Sequence, residues 1–227
     1  MTGECYIVRL AAWAPGIGSS GEWDEWALGK RSISSGAKGP EITFTDSMFR
    51  RRLSQISKMT IQVIHDLLPI GENTKIFFIS FRGELSRQYQ INKMLIEEKS
   101  LSPAAFSLSV FNAPVALATM ALGLKGGYSA LYPGNNSFTA GLKAAQAALI
   151  CGTAEELVVV YADEEAPAEY GCFSQEYPPS PPAAFGFLLS LSSRPHSIPL
   201  SSVKEKTDNP LDFFRQMLLC GELHVAA

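Results

Sequence analysis

The chain has 227 residues, of which 46% are hydrophobic and 18% are charged, and its formal net charge at pH 7 is −3. This composition excludes intrinsic disorder, and a chain of this length can bury roughly 70% of the surface that it exposes when unfolded. The slightly acidic balance lacks the basic character of a nucleic-acid-binding domain, so we expect no nucleic-acid partner.

Along the chain, apolar stretches of strand length alternate with stretches of helical periodicity. In order, the sequence predicts a strand at 5–12, a loop at 13–40, a helix at 47–68, a strand at 75–81, helices at 83–97 and 113–124, a strand at 128–132, a helix at 137–150, a strand at 156–162, a loop at 163–182, a strand at 184–191 and a helix at 208–220. This alternation indicates an α/β fold with a mostly parallel, mixed sheet that helices cover on both faces. We expect residues 1–227 to form a single domain.

Residues 100–154 are almost free of charge, because Lys125 and Lys143 are their only charged side chains. Such depletion is typical of a domain core and also of the centre of a protein interface. Residues 100–124 are long enough to span a bilayer, but prolines and polar side chains interrupt them. We therefore predict no membrane span and a segment that is either core or interface.

The four cysteines, Cys5, Cys151, Cys172 and Cys220, are scattered, and none forms a CxxC pair. Their spacing gives no indication of a zinc site or a redox dithiol, so we expect reduced thiols, no metal and no cofactor. The N-terminus lacks the pattern of a signal peptide. The sequence therefore predicts a cytoplasmic protein.

Two short motifs have both a structural and a functional interpretation. Residues 16–21 read GIGSSG, the glycine pattern of dinucleotide-binding loops, but the Trp-rich sequence after them predicts a turn and a loop rather than the required helix. A basic run, Arg50, Arg51 and Arg52 with Lys58, begins the long predicted helix. It would form either a solvated face or a docking surface for an acidic protein.

Residues 101–152 resemble the β-ketoacyl-ACP synthases of the thiolase superfamily. In those enzymes a helix ending GL-K/R-G leads into a short strand, a helix opened by the nucleophilic cysteine in CxSGxxA, and a strand of the pattern G-x-A-D-x-x-V. Here residues 123–126 match the first element, residues 141–144 match the helix, and Gly152 with residues 155–160 approximates the last. The resemblance covers about residues 1–192 and implies a thiolase-like half-fold.

The departures from that family concern the catalytic residues. The position of the nucleophile falls on Phe138, or on Asn135 or Asn136, and none of these is a thiol. Cys151 lies about three and a half turns further along the same predicted helix, so it cannot act at that position. A full synthase is roughly twice as long, and its two catalytic histidines come from the second half. The resemblance therefore implies a chain that is not an enzyme.

A short synthase homologue without a nucleophile is similar to a chain length factor, which pairs with an active ketosynthase and shapes the tunnel for the growing acyl chain. The resemblance is to the short ketosynthase-like N-terminal-domain proteins of aryl-polyene-type fatty acid or polyketide clusters. It implies that residues 100–154 form the heterodimer interface and that an acyl carrier protein binds transiently. The implied tunnel or interface residues are Ala105, Phe106, Val110, Phe111, Asn112, Met120, Tyr128 and Phe138. The implied carrier-docking residues are Arg50, Arg51, Arg52 and Lys58.

Two alternatives remain open from the sequence. A thiolase-type acyltransferase could use Cys151 or Cys172 as its nucleophile, and its thiol would then take an acyl group from a carrier protein. A purely structural subunit would stabilise the ketosynthase without affecting the length of its product.

Overall fold

The computed structural model describes residues 3–36, 38–134, 137–152, 154–173, 180–203, 208–221 and 223–226. Its strands are β1 Tyr6–Trp13, β2 Lys75–Ile79, β3 Tyr128–Leu131, β4 Glu156–Asp163, β5 Ala183–Ser190 and β6 Ile198–Pro199. Its helices are α1 Ser20–Ala27, α2 Ser47–Arg50, α3 Gln55–Asp66, α4 Leu85–Glu98, α5 Pro103–Ser107, α6 Ala113–Leu122, α7 Phe138–Ile150 and α8 Pro210–Leu219. No helix within these described ranges is long and apolar enough to cross a membrane.

The strands form one mixed sheet in the order β3-β2-β4-β5-β1-β6. Strand β2 pairs in parallel with β3 and with β4, whereas the pairings β4–β5, β5–β1 and β1–β6 are antiparallel. The mixed α/β architecture is confirmed, but the sheet is less parallel than the sequence analysis predicts. Helices lie between β2 and β3 and between β3 and β4, as the parallel arrangement of these three strands requires. Between β4 and β5, the part of the chain that the structure describes forms a short 3-10 helix, Ala168–Phe173.

Helices cover both faces of the sheet, as predicted, and each face has its own apolar core. On one face, α1, α7 and α8 pack against strand side chains such as Phe77, Val159 and Phe187. On the other face, α3 and α6 pack against Phe78, Val160 and their neighbours. Because successive side chains of a strand point to opposite faces, the continuous apolar runs of β2, β4 and β5 supply both cores.

Helix α1 forms within the segment that the sequence analysis assigns to a loop. Ser19 and Glu22 make a capping box, in which the Ser19 hydroxyl accepts from the Glu22 N–H and the Glu22 carboxylate accepts from the Ser19 N–H. Trp23 and Trp26 are then buried, and their rings lie 5.2 and 5.6 Å from the ring of Phe214 on α8. The cap and this aromatic packing stabilise the helix by more than the neighbouring glycines destabilise it.

The single helix predicted at 47–68 is two helices. Helix α2 ends at Arg50, and α3 begins at Gln55 because the Ser54 hydroxyl caps it by accepting from the Ser57 N–H at 3.2 Å. The apolar periodicity continues through the break because the residues on both sides contribute to the same core. The predicted C-terminal helix at 208–220 is observed as α8, which Asn209 caps.

Candidate functional site

The resemblance places the nucleophile near the N-terminus of α7, and the described residues there contact the segment before α8. Ser137 caps α7 and donates a hydrogen bond from its hydroxyl to the Asp208 carboxylate at 2.7 Å. The backbone N–H of Phe138 donates to the Asp208 carbonyl at 3.2 Å. The segment that leads into α8 therefore covers the N-terminus of α7. Asn135 and Asn136, the other candidates for the nucleophile position, lie outside the described residues.

The side chain of Phe138 is fully buried in an aromatic cluster. Its ring centroid lies 5.1 Å from that of Phe213, 5.6 Å from that of Phe185 and 6.0 Å from that of Tyr161. The assignment of Phe138 to a tunnel or interface surface is therefore corrected, because the residue belongs to the core under α8. The sequence could not indicate this, since Phe213 is distant along the chain.

The described thiols lie away from the N-terminus of α7. Cys151 caps the opposite end of the helix and is exposed, Cys220 is exposed at the end of α8, and Cys5 is buried. Burial is the largest of the effects that raise the pKa of Cys5. The side chain of Cys172 lies outside the described residues. Within the described part of the chain, no three His, Cys, Asp or Glu side chains are grouped so that they could hold a metal ion.

The GIGSSG motif precedes a helix after all, but its backbone amides are already occupied. The carboxylate of Glu22 accepts hydrogen bonds from the N–H groups of Gly18 at 2.7 Å and Ser19 at 3.1 Å. These are amides of the kind that would bind a phosphate at a helix N-terminus. Because a carboxylate of this chain already binds them, the motif is a capping structure here.

Large apolar side chains are exposed along residues 95–132, on and beside α4, α5, α6 and β3, and we refer to this set as the apolar face. On this face, Phe106 is 54% exposed, Val110 43% and Met120 74%, although each is a large apolar side chain. The apolar face comprises Leu95, Ile96, Leu101, Phe106, Val110, Met120 and Tyr132. Exposed apolar side chains concentrated in one segment are typical of a protein interaction surface. The charge-poor segment is thus core on one side and exposed on the other.

The remaining predicted residues of this region are half-buried and support the apolar face. Phe111 packs its ring against those of Phe78 and Tyr132, and Asn112 donates a hydrogen bond to the Tyr128 hydroxyl at 2.9 Å. Ala105 is half-buried on α5. Tyr128 lies on β3, which is the edge strand of the sheet among the described residues and pairs there with β2. An unpaired strand edge can hydrogen-bond to a strand of another chain.

The structure places the four residues of the predicted basic group in different environments. The Arg50 guanidinium donates to the Thr43 carbonyl at 3.2 Å and to the Thr45 carbonyl, so it holds the preceding loop. Lys58 is half-buried on α3. Arg51 and Arg52 are exposed, and neither forms an ion pair with a described residue. Arg51 and Arg52 are thus the more exposed members of the predicted basic group.

A buried carboxyl network, which the sequence analysis does not predict, lies at the C-terminal ends of β2 and β4. The Asp163 carboxylate accepts from the Ser80 hydroxyl at 2.5 Å, from the Tyr161 hydroxyl at 2.8 Å and from the N–H groups of Phe81 and Arg82. Burial raises the pKa of Asp163, and the Ser80 hydrogen bond opposes this increase. The network therefore fixes the loop after β2.

Two further buried carboxyl groups, Glu84 and Glu164, lie beside this loop. Glu84 accepts from the hydroxyls of Ser54 at 2.6 Å and Ser57 at 2.7 Å and from the Arg87 guanidinium at 3.2 Å. Glu164 accepts from the backbone N–H groups at the N-terminal ends of α3 and α4. Burial, and then the charge of Glu84, raise the pKa of Glu164 to about 7.

The mixed sheet between two helical layers, with a loop-to-helix junction after its edge strand, defines a thiolase-like, ketosynthase-type domain. The sequence profile described as "Beta-ketoacyl synthase, N-terminal domain" matches residues 23–215. The chain belongs to this family, which confirms the resemblance found in the sequence.

Solved structures extend this comparison. "Ketosynthase (ApeO) in Complex with its Chain Length Factor (ApeC) from Xenorhabdus doucetiae" matches with a TM-score of 0.73 and 25% identity, covering 96% of this chain and 92% of that chain. The ishigamide ketosynthase/chain length factor matches with a TM-score of 0.63 and 16% identity over 87% of this chain and 65% of that chain. The complex AntDE:AntF, a type II polyketide synthase acyl-carrier protein with its ketosynthase, matches with a TM-score of 0.61 and 13% identity. This match covers 84% of this chain and 64% of that chain.

The ishigamide and AntDE:AntF structures are 16% and 13% identical to this chain, and these identities are too low to indicate more than a shared fold. No sequence among the curated proteins matches this chain.

Proposed function

We propose that this chain is a non-catalytic chain length factor that forms a heterodimer with an active β-ketoacyl-ACP synthase. In fatty acid or polyketide biosynthesis of the aryl-polyene type, it would form part of the wall of the acyl tunnel. The observation that carries the proposal is the N-terminus of α7, which the segment before α8 covers and where Phe138, one of the three candidates for the nucleophile position, is buried. The match to the ApeO/ApeC structure over nearly all of both chains supports it.

The ketosynthase would bind the apolar face and the free edge of β3. Each large apolar side chain that a partner covers contributes about 1.5–3 kcal/mol when it is fully buried. Phe106, Val110 and Met120 are only partly covered in the single chain, so a partner could still bury much of their surface. The partner would supply the cysteine and the histidines, and this chain would supply apolar surface.

Product length would then depend on the bulk of the side chains at the tunnel wall. Fitting two further carbons into a filled apolar space costs about 1–3 kcal/mol, which changes the ratio of two products by roughly 5- to 150-fold. Phe106, Val110 and Met120 are the exposed members of the predicted wall.

The cytoplasmic location expected from the sequence stays a prediction.

The first experiment is co-expression with the ketosynthase from the same source, with one subunit tagged, followed by size-exclusion chromatography with light scattering. A stable one-to-one complex is the expected result. Phe106→Ala, Val110→Ala and Met120→Ala are then compared in the reconstituted pair, with Leu28→Ala as the control. Leu28 is 58% exposed, similar to Phe106, and lies at the end of α1, outside the apolar face.

Longer products from at least one wall variant, and unchanged products from Leu28→Ala, would support the templating role. If the chain elutes separately and forms no complex with the ketosynthase, the proposal is refuted. A stable complex whose wall variants change yield but never product length would indicate the purely structural subunit instead.

The acyltransferase alternative has little support at Cys151. That thiol lies at the C-terminal end of α7, away from the helix N-terminus that activates nucleophilic cysteines. Incubation with an acyl-carrier donor and mass spectrometry of the intact chain would test both Cys151 and Cys172. An acyl adduct on either thiol would favour the enzyme over the chain length factor.

A further inference from the structure

The turn between α5 and α6 presents Val110 to the outside and is held from behind by three elements. From α4, the Gln88 amide donates a hydrogen bond to the Ser109 carbonyl at 3.0 Å. From β3, the Tyr128 hydroxyl accepts the hydrogen bond of Asn112 at 2.9 Å. From the loop after β2, Gly83 contacts Phe111. The position of Val110 therefore depends on residues that are not on the apolar face.

The contact between Gly83 and Phe111 leaves no room for a side chain. A Cβ atom on Gly83 would lie 2.6 Å from Cδ2 and 3.2 Å from Cε2 of the Phe111 ring. Gly83 also has a φ of +56°, in the left-handed region that favours glycine. The backbone of Gly83 thus sets how far the ring of Phe111 can approach the sheet.

The loop that carries Gly83 cannot easily withdraw from Phe111. Its backbone is tied to the buried network, because the Ser80 hydroxyl accepts from the Gly83 N–H at 2.7 Å and donates to Asp163 at 2.5 Å. Ser80 is fully buried and Asp163 is 2% exposed. Moving the loop would leave buried polar groups without partners, which costs about 1–3 kcal/mol for each group. A displacement at this contact is therefore transmitted to Phe111.

We propose that Gly83 and Gln88 are positioning residues for the acyl tunnel. They hold the turn at 109–112, and so fix where Val110 and Phe111 stand against the growing acyl chain in the heterodimer. This inference rests on the proposed function as a chain length factor. It adds that product length depends on residues behind the wall as well as on the wall itself.

The direct test is Gly83→Ala in the reconstituted ketosynthase pair, with the product-length distribution as the readout. The added methyl group pushes Phe111 outward and narrows the tunnel. We expect the ratio of the longest product to the product two carbons shorter to fall at least about fivefold, the lower end of the overpacking range. Gly29→Ala is the matched control, because Gly29 has a φ of +73° and nothing within 4 Å of its Cβ position.

Gln88→Leu provides a second test if Gly83→Ala does not fold. Loss of the hydrogen bond to the Ser109 carbonyl loosens the turn, and we expect a broader distribution with more of the longer products. Gln90→Leu is its control, because Gln90 is exposed on the same helix. A structural role alone would change yield or stability without changing the product ratio.

Each variant is first assayed for heterodimer formation by size-exclusion chromatography. If Val110→Ala changes product length but Gly83→Ala and Gln88→Leu do not, the positioning role is overturned and the chain length factor stands. If Gly83→Ala fails to assemble, an unchanged distribution from Gln88→Leu overturns the positioning role. If no wall variant changes product length, the proposed function itself is refuted.

Discussion

Replacing Glu164 with glutamine tests whether a buried carboxyl group of this chain is protonated in the folded state. Glu164 is 4% exposed, and its pKa rises to about 7 from an ordinary value of 4.5. Because the folded chain binds this proton more tightly than the unfolded chain, the group stabilises the fold fully below pH 4.5. That stabilisation is lost as the pH rises through 7. At about 1.4 kcal/mol for each pKa unit, the loss amounts to about 3 kcal/mol.

Glutamine is neutral at every pH and has nearly the same shape as a protonated glutamate. Both Glu164 oxygens accept backbone N–H groups, and the amide nitrogen of glutamine cannot, so we expect Glu164→Gln to be less stable than the wild type by about 1–3 kcal/mol at pH 5. Relative to the wild type, it should gain about 2–3 kcal/mol between pH 5 and pH 8, because only the wild type contains a carboxyl group that ionises in this range. The assay is equilibrium unfolding in urea at both pH values, compared through the free energy of unfolding. Titrating groups distant from Glu164 contribute equally in both proteins, so their contributions cancel in the difference.

Glu165→Gln is the matched control, because Glu165 is exposed and adjacent in the chain. We expect its effect to be small and nearly the same at pH 5 and pH 8. If the difference between Glu164→Gln and the wild type does not change between these two pH values, Glu164 is ionised in the folded chain. The reasoning from its burial and from the charge of Glu84 would then be refuted.

Three further predictions concern the proposed carrier-docking arginines, the N-terminus of α7 and the buried network. Arg51→Glu combined with Arg52→Glu should slow association of the acidic carrier protein with the heterodimer by about tenfold at low salt, as stopped-flow binding would show; Lys30→Glu should not. High salt should remove the difference, and an unchanged rate at low salt would argue against docking there. Phe138→Cys should show no acyl adduct by mass spectrometry, because its thiol would be buried; an adduct would contradict this. Its free energy of unfolding in urea should fall by about 3 kcal/mol, because the smaller side chain leaves a cavity. Asp163→Asn should destabilise the fold by about 3 kcal/mol, because an amide cannot accept from all the buried donors there. A thermal unfolding midpoint equal to that of the wild type would disprove this.

Local patterns predicted most of the helices and strands, and their limits have local causes. Start and stop residues indicated three of the helices, because Pro114 and Pro210 lie in the first turns of α6 and α8, and Gly123 and Gly152 follow α6 and α7. The apolar periodicity indicated α3. It missed α1, although Ser19 and Glu22 have the spacing of a capping box and two tryptophans follow. The apolar periodicity also predicted one helix across Ser54, where the structure has two. A cap interrupts the backbone hydrogen bonds but leaves the spacing of apolar residues almost unchanged.

The candidate site was less predictable because its contacts join distant parts of the chain. Ser80 meets Asp163, and Glu164 meets the N-terminus of α3, across 83 and 108 residues of sequence. The family pattern pointed to the N-terminus of α7, yet it could not indicate that Phe213 packs on Phe138 there or that the Asp208 carbonyl accepts from the Phe138 N–H. Such contacts arise from the fold as a whole, so no local spacing records them.

The distribution of tryptophan has a practical consequence for spectroscopy. All three tryptophans lie within residues 13–26, and the two on α1 pack on Phe214 of α8. Their emission should therefore report the loosening of the α1–α8 layer, with a red shift when water reaches the rings. The apolar face contains no tryptophan, so a fluorescence change on mixing with a ketosynthase would originate mainly in the partner. Intrinsic fluorescence can thus follow the unfolding of this chain and the assembly of the pair as separate signals.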